Sequence, residues 1–115
     1  MHGENLACRE LKRRGYIIEA RRVRTSLGEI DVVARDGTAL VFVEVKTRRS
    51  RGHGSPAEAV TRRKQRKLSV LARAYLARKN LGEVPVRFDV VAVDWSERDG
   101  PRVDIVRGAF QGLPD

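Results

Sequence analysis

Between residues 29 and 46 the chain twice sets acidic side chains two apart or beside a lysine inside apolar runs, as Glu29-Ile30-Asp31 and Glu44-Val45-Lys46, with Asp36-Gly37 almost midway. Paired carboxylates of this kind suit a hard divalent ion such as Mg²⁺ or Mn²⁺, which takes one or two carboxylates and completes its shell with waters and phosphate oxygens. Such an ion lowers the pKa of its water and neutralises charge developing on phosphorus. Asp31, Glu44 and Lys46 are therefore candidates for metal-assisted phosphodiester hydrolysis. Asp31 and Glu44 would be the metal ligands, and Lys46 would position or stabilise the charged groups. The bare spacing is also met by accident in short acidic strands, and a solvated charged face is the competing reading.

The elements that must position these groups follow from the flanking residues. The runs Leu27 to Ala34 and Ala39 to Lys46 are rich in Val, Ile and Phe and are separated by a dipeptide that tolerates positive φ, so they read as a β-hairpin. With Asp36 and Gly37 as a two-residue loop, Glu29 falls opposite Glu44, Asp31 opposite Phe42 and Leu27 opposite Lys46. One face then carries the charges. The other collects Ile30, Val32 and Ala34 against Val41, Val43 and Val45 as a core side. Like charges facing across strands destabilise a sheet by about 0.2 to 1 kcal/mol per pair, which Lys46 or a bound cation would offset.

Upstream, Gly3 to Arg14 reads as a helix ended by Gly15, with Glu4, Ala7, Cys8 and Leu11 on one face. Glu4 points with the apolar stripe, where a carboxylate needs a cation or a donor. Alternatively it is a first-turn glutamate favoured by the helix dipole. Tyr16 to Val23 reads as a first strand, and Thr47 to Gly54 as a basic loop whose His53 is either solvated or close to a phosphate or metal. Ser55-Pro56-Ala57-Glu58 has the pattern of an N-cap, a first-position proline and a capping box, so a helix is expected from there to about Lys79. Along it Val60, Leu68, Leu71, Tyr75 and Leu76 form the apolar stripe. Lys64 lies on the same line, facing the sheet or snorkelling to solvent. Val86 to Val93 and Arg102 to Arg107 read as two further strands.

The 115 residues, 41% of them hydrophobic, suit a single domain spanning 1–115. No apolar stretch reaches membrane-spanning length and residues 1–4 lack the features of a secretion signal, so a cytoplasmic protein without membrane contact is expected. One cysteine, Cys8, excludes an internal disulfide framework and the usual multi-cysteine zinc sites. The formal charge is +9, from 24 Lys and Arg against 15 Asp and Glu. Part of that excess could reflect GC-rich codon usage, but its clustering favours a polyanionic partner.

At this point the chain resembles a known superfamily. Gly28-Glu29-Ile30-Asp31 followed by Phe42-Val43-Glu44-Val45-Lys46 is similar to the metal-binding signature of the PD-(D/E)xK nucleases. The whole chain resembles the YraN family of small bacterial proteins, related to archaeal Holliday junction resolvases. The similar features run from Gly3-Glu4 and Ala7 through Gly15-Tyr16, Arg24, the two acidic runs and Thr47-Arg48 to Gly54, Pro56, Ala59-Val60, Lys64 and Arg87-Phe88-Asp89. The resemblance implies a restriction-endonuclease-like α/β core, a mixed central sheet flanked by helices in the order α-β-β-β-α-β-β. It implies that Asp31 and Glu44 bind metal, that Lys46 is the catalytic lysine, and that Glu4 helps complete the site with Glu29 as accessory. The family often has Asn before its Arg in the first strand, where this chain has Arg22-Val23-Arg24, and only three residues precede Glu4.

The leading expectation is an Mg²⁺- or Mn²⁺-dependent endonuclease acting on DNA, including branched or junction DNA. Arg24, Arg48, Arg49, Arg51, Arg62, Arg63, Lys64 and Lys67 would contact phosphates. A noncatalytic nucleic-acid-binding protein that keeps the nuclease fold is the alternative. A basic assembly factor working through protein contacts is the third. Symmetric junction cleavage would need a homodimer, with Trp95 or Phe110 as candidate interface residues.

Overall fold

A computed structural model describes residues 2–49, 56–96 and 100–112. The expected bases at Arg51 and His53 and the expected N-cap Ser55 lie outside the described residues. The elements run α1 (His2–Arg13), β1 (Ile17–Thr25), β2 (Gly28–Asp36), β3 (Ala39–Arg48), a 3₁₀ turn (Pro56–Ala59), α2 (Arg62–Lys79), β4 (Val86–Ser96) and β5 (Gly100–Phe110). Five strands form one mixed sheet in the order β1-β2-β3-β4-β5, in which β3 and β4 are parallel and the other neighbours antiparallel. The parallel pair requires a long crossover, and α2 supplies it. This is a mixed α/β fold with two helices, in the element order expected. No described helix is long and apolar enough to cross a membrane.

Each face of the sheet carries its own core. On one, Ala7, Cys8 and Leu11 of α1 pack with Tyr16, Val32, Ala34, Val41, Val43, Val91 and Val93. On the other, Leu68, Leu71, Ala72 and Tyr75 of α2 cover Val23, Ile30, Val33, Leu40, Phe42, Phe88 and Val90. The face expected to be charged is thus a second apolar layer over most of its length. Glu44 and Lys46 extend it past Phe42. Trp95 and Phe110, considered above as interface residues, are partly buried against these cores, and Phe110 stacks on Phe88 at 4.9 Å.

The hairpin register differs from the expected one. Asp36 pairs with Ala39 and Val32 with Val43, so Gly37 and Thr38 make the loop and the strands are offset by two residues. Gly37 has φ +61°, and a glycine at the first loop position is what a tight turn of this kind demands. An even offset leaves every β3 side chain on its expected face, but Glu29 no longer faces Glu44.

A second difference concerns alternation. Ile30 and Val33, three apart, belong to the same core, as do Ala20 and Val23 on β1. The β1–β2 ladder runs through Arg21 with Val32 and Val23 with Ile30 but skips Arg22 and Asp31. Arg22 sits there with φ +51°, a left-handed conformation at which the in-out alternation breaks while the register holds; the one shift of register on this ladder lies earlier, between Ile18 and Ala20. The irregularity removes Ile30 from the predicted core side and frees Asp31 from the regular pleat.

The helix expected from Ser55 is also interrupted. Pro56–Ala59 is only a 3₁₀ turn, and α2 begins after Thr61, whose hydroxyl accepts the Lys64 N–H at 3.1 Å. At the far end Asn80 caps the helix in the left-handed conformation, φ 52°. Thr61→Ala is expected to lower stability by about 1 kcal/mol, measured by urea denaturation. Restarting the helix at Thr61 places Lys64 in its first turn, beside the end of β3.

Away from that end, Asp89 is fully buried and fully engaged. It accepts from Tyr16 Oη at 2.7 Å, from Arg87 at 2.8 and 2.9 Å and from the Gly108 N–H at 3.0 Å. Burial and the Asp89 bond push the Tyr16 hydroxyl up to about 12. The Arg87-Phe88-Asp89 run thereby ties α1's exit to β4 and β5, a stabilising role remote from Asp31.

Candidate active site

The carboxylates gather where β2 and β3 part. The β2–β3 ladder ends at Val32 with Val43. Beyond it the Asp31 carboxylate bridges to β3 by accepting the Val45 N–H at 2.8 Å. A side chain thereby satisfies an amide that the strand partner leaves unpaired. A cleft of about 340 Å³ opens there, lined by Glu4, Arg22, Arg24, Glu29, Asp31, Val45 and Thr47.

Glu44 is held on the α2 side of β3, only 5% exposed, and is not part of the cleft lining. Its Oε2 lies 3.7 Å from Lys64 Nζ. Its Oε1 is buried and finds no hydrogen-bond donor among the described residues. A buried carboxylate oxygen without a donor is costly in the charged form. Burial and then the negative charge of neighbouring Asp31 raise the Glu44 pKa from 4.5 to about 7, while Lys64 and Lys46 pull it down. Asp31 and Glu44 therefore sit close enough to repel each other. Lys46 shares the Glu44 side of β3 and makes no hydrogen bond or ion pair with the described residues.

Glu4 reaches the cleft because α1 docks tightly on β3. Gly3 is buried against Thr47, and a Cβ there would stand 2.4 Å from Thr47 Oγ1. The short lead before Glu4 leaves α1 intact from His2 onward. Glu4 is 5% exposed, and its carboxylate accepts from Arg21 Nε at 3.1 Å and from Arg22 Nε at 3.3 Å on both oxygens. Spacing alone did not reveal this clamp. Its signal was the Arg21-Arg22 pair opposite an acid on an apolar stripe. Glu29 pairs with Arg24 at 3.1 Å, the arginine being largely exposed.

The basic residues separate into two groups. Arg48 grips buried Asp94 through both Nε and Nη2, at 2.7 and 3.0 Å, so its guanidinium braces β3 against β4. Lys64 is turned toward Glu44 and only partly exposed. Arg24, Arg49, Arg62, Arg63 and Lys67 are exposed. Lys67 also lies against the β1–β2 turn, where its Cε would meet a Cβ placed on Gly28 at 2.7 Å.

No three ligating His, Cys, Asp or Glu side chains cluster among the described residues. A hard ion does not need three. Asp31 and Glu44 supply two carboxylates, one with an orphaned oxygen, and that donor set fits a divalent ion whose remaining ligands are water and phosphate.

A two-helix mixed sheet with an acid pair at the end of its central strand, rimmed by bases, defines the class of protein as a small basic α/β domain with a polar cleft. The sequence matches the family described as "Uncharacterised protein family UPF0102" over residues 3–93. It is 49% identical over 111 residues to the UPF0102 protein of Geobacter sulfurreducens, covering 96% of this chain and 87% of the relative. It is 51% identical over 108 residues to that of Symbiobacterium thermophilum (94% and 92%). A Rhodococcus jostii relative is 49% identical over 109 residues (95% and 92%). The chain belongs to this family, the YraN-like proteins of bacteria.

Proposed function

We propose that this protein is a metal-dependent endonuclease with a restriction-endonuclease-like core of the PD-(D/E)xK kind, hydrolysing phosphodiester bonds in DNA and suited to branched or junction DNA. The observation that carries the reading is the buried, donorless Glu44 Oε1 beside Asp31. Two acids forced together with one oxygen unsatisfied call for a cation, and Lys64 at 3.7 Å compensates only in part. Asp31 and Glu44 would hold Mg²⁺ or Mn²⁺, which when bound supplies a hydroxide nucleophile near neutral pH and charge neutralisation at phosphorus.

The chain's own residues do the rest. Asp31, fixed by the Val45 N–H, presents its remaining oxygen at the cleft. Lys46, without a partner in the described structure, donates to a phosphate oxygen or the leaving group. Arg24 at the cleft and Arg49, Arg62, Arg63 and Lys67 around it position the backbone through charge.

The test is thermal melting together with cleavage. Mg²⁺ or Mn²⁺ at 100 times its dissociation constant should stabilise the native state by about 2.7 kcal/mol, and a labelled four-way junction or flapped duplex should be cut under the same conditions. Metal binding with no cleavage of any DNA would reject the hydrolytic reading. DNA binding with neither would favour the noncatalytic alternative.

A further inference from the structure

We infer that Arg22 is a phosphate clamp of the cleft, a binding residue that grips a nonbridging oxygen of the nucleic-acid backbone while Glu4 holds it in place. The inference rests on the proposed reading that the cleft takes a phosphodiester backbone. It does not depend on metal binding or hydrolysis.

Three observations converge on this residue. Arg22 has φ +51° in the middle of a strand, a conformation that residues other than Gly and Asn adopt only under strain, and strain of this kind gathers at functional positions. The ladder skips it together with Asp31, so the kink sets the arginine and the proposed metal ligand side by side at the cleft. Its Nε lies 3.3 Å from both oxygens of Glu4, whose side chain is 7% exposed, while the arginine side chain is 50% exposed. Nε is the only nitrogen so engaged. The terminal nitrogens have no hydrogen-bond partner among the described residues.

The geometry separates two tasks. A guanidinium is a planar fork of five N–H donors, and anchoring it by Nε leaves the outward N–H groups of the terminal nitrogens for a second acceptor. A buried carboxylate below and open donors above form a preorganised anion grip, because the side-chain entropy is already lost before the ligand arrives. Arg21 also bonds Glu4, but its Nη2 is taken by Asn5 at 2.7 Å. If ion pairing to Glu4 were the whole purpose, Arg21 would suffice and a strained second arginine would add little. The ligand is a phosphate monoanion within a chain, since the neighbouring Glu29 and Asp31 would repel a small, more highly charged anion that brings no other contacts.

Binding of a fluorescein-labelled 20-base-pair duplex to the full-length protein, followed by anisotropy in EDTA over a range of NaCl, tests this. Arg22→Asn should weaken binding roughly tenfold and reduce the slope of log K against log salt by about 0.9, one phosphate contact. Its melting temperature should be unchanged or raised, since Asn tolerates positive φ and Arg21 still holds Glu4. Arg22→Lys should keep the slope but bind more weakly than wild type, because a lysine cannot reach Glu4 and phosphate together. A wild-type slope in Arg22→Asn, or wild-type affinity in Arg22→Lys, overturns the assignment. The lysine variant decides the matter if the asparagine variant fails to fold. No duplex binding by the wild type would overturn both this inference and the reading beneath it, whereas wild-type binding without cleavage would remove only the hydrolytic proposal.

Discussion

Asp31→Asn is expected to abolish cleavage, by at least about 10³-fold, and with it the rise in melting temperature on adding Mg²⁺. In the proposed reaction several kcal/mol of transition-state stabilisation would depend on a metal held by two carboxylates, and each 1.36 kcal/mol is tenfold in rate. Asparagine keeps the size of the side chain and an oxygen for the Val45 N–H, so the junction between β2 and β3 survives. The variant should bind DNA as well as wild type or better, since a negative charge leaves the cleft. Single-turnover cleavage and melting of the same preparation measure both. Cleavage that persists at the wild-type rate would exclude Asp31 from the reaction.

The second large effect is on stability. Burial and the neighbouring Asp31 charge raise the Glu44 pKa on folding from 4.5 to about 7, so between those values the native state holds more protons than the unfolded chain. Stability therefore falls as pH rises through that interval, by on the order of 3 kcal/mol. Urea denaturation in EDTA at pH 5 and pH 8 should show this fall for wild type, and Glu44→Gln should remove most of it. If the acid pair takes magnesium as proposed, the ion should oppose the fall, because metal ligation requires the ionised carboxylate. Equal stability of the wild type at both pH values would mean that Glu44 is not strained in the way its burial implies.

Much of this architecture is legible in the residues. The stripe Glu4, Ala7, Cys8 and Leu11 gives α1 and puts its acid inward, and the Val-rich runs give β2 and β3. Acidic residues on short apolar strands single out Asp31 and Glu44, which lie close enough for the charge of one to raise the pKa of the other. Three features escaped for physical reasons. The hairpin loop could be placed on either side of Gly37, and local sequence does not decide between them. The break of alternation at Arg22 and Asp31, with Arg22 at positive φ, interrupts a period that pattern reading assumes to be constant. The capping pattern at Ser55 lost to Thr61 because both sites present a hydroxyl residue, and tertiary packing selects the helix start. Pairings such as Arg48 with Asp94 or Arg22 with Glu4 join distant segments, so no local pattern announces them.

The interrupted pairing between β1 and β2 has a dynamic consequence. Strand β3 is bonded on both sides, while Arg22 lies on the border strand β1 and, with Asp31 beside it on β2, is skipped by the ladder. Native-state amide exchange should therefore find the slowest protons on β3 and β4 and faster ones around residue 22. The outer ribbon β1–β2 is then the part of the sheet that opens most readily, while the strand bearing Glu44 and Lys46 stays fixed between two neighbours.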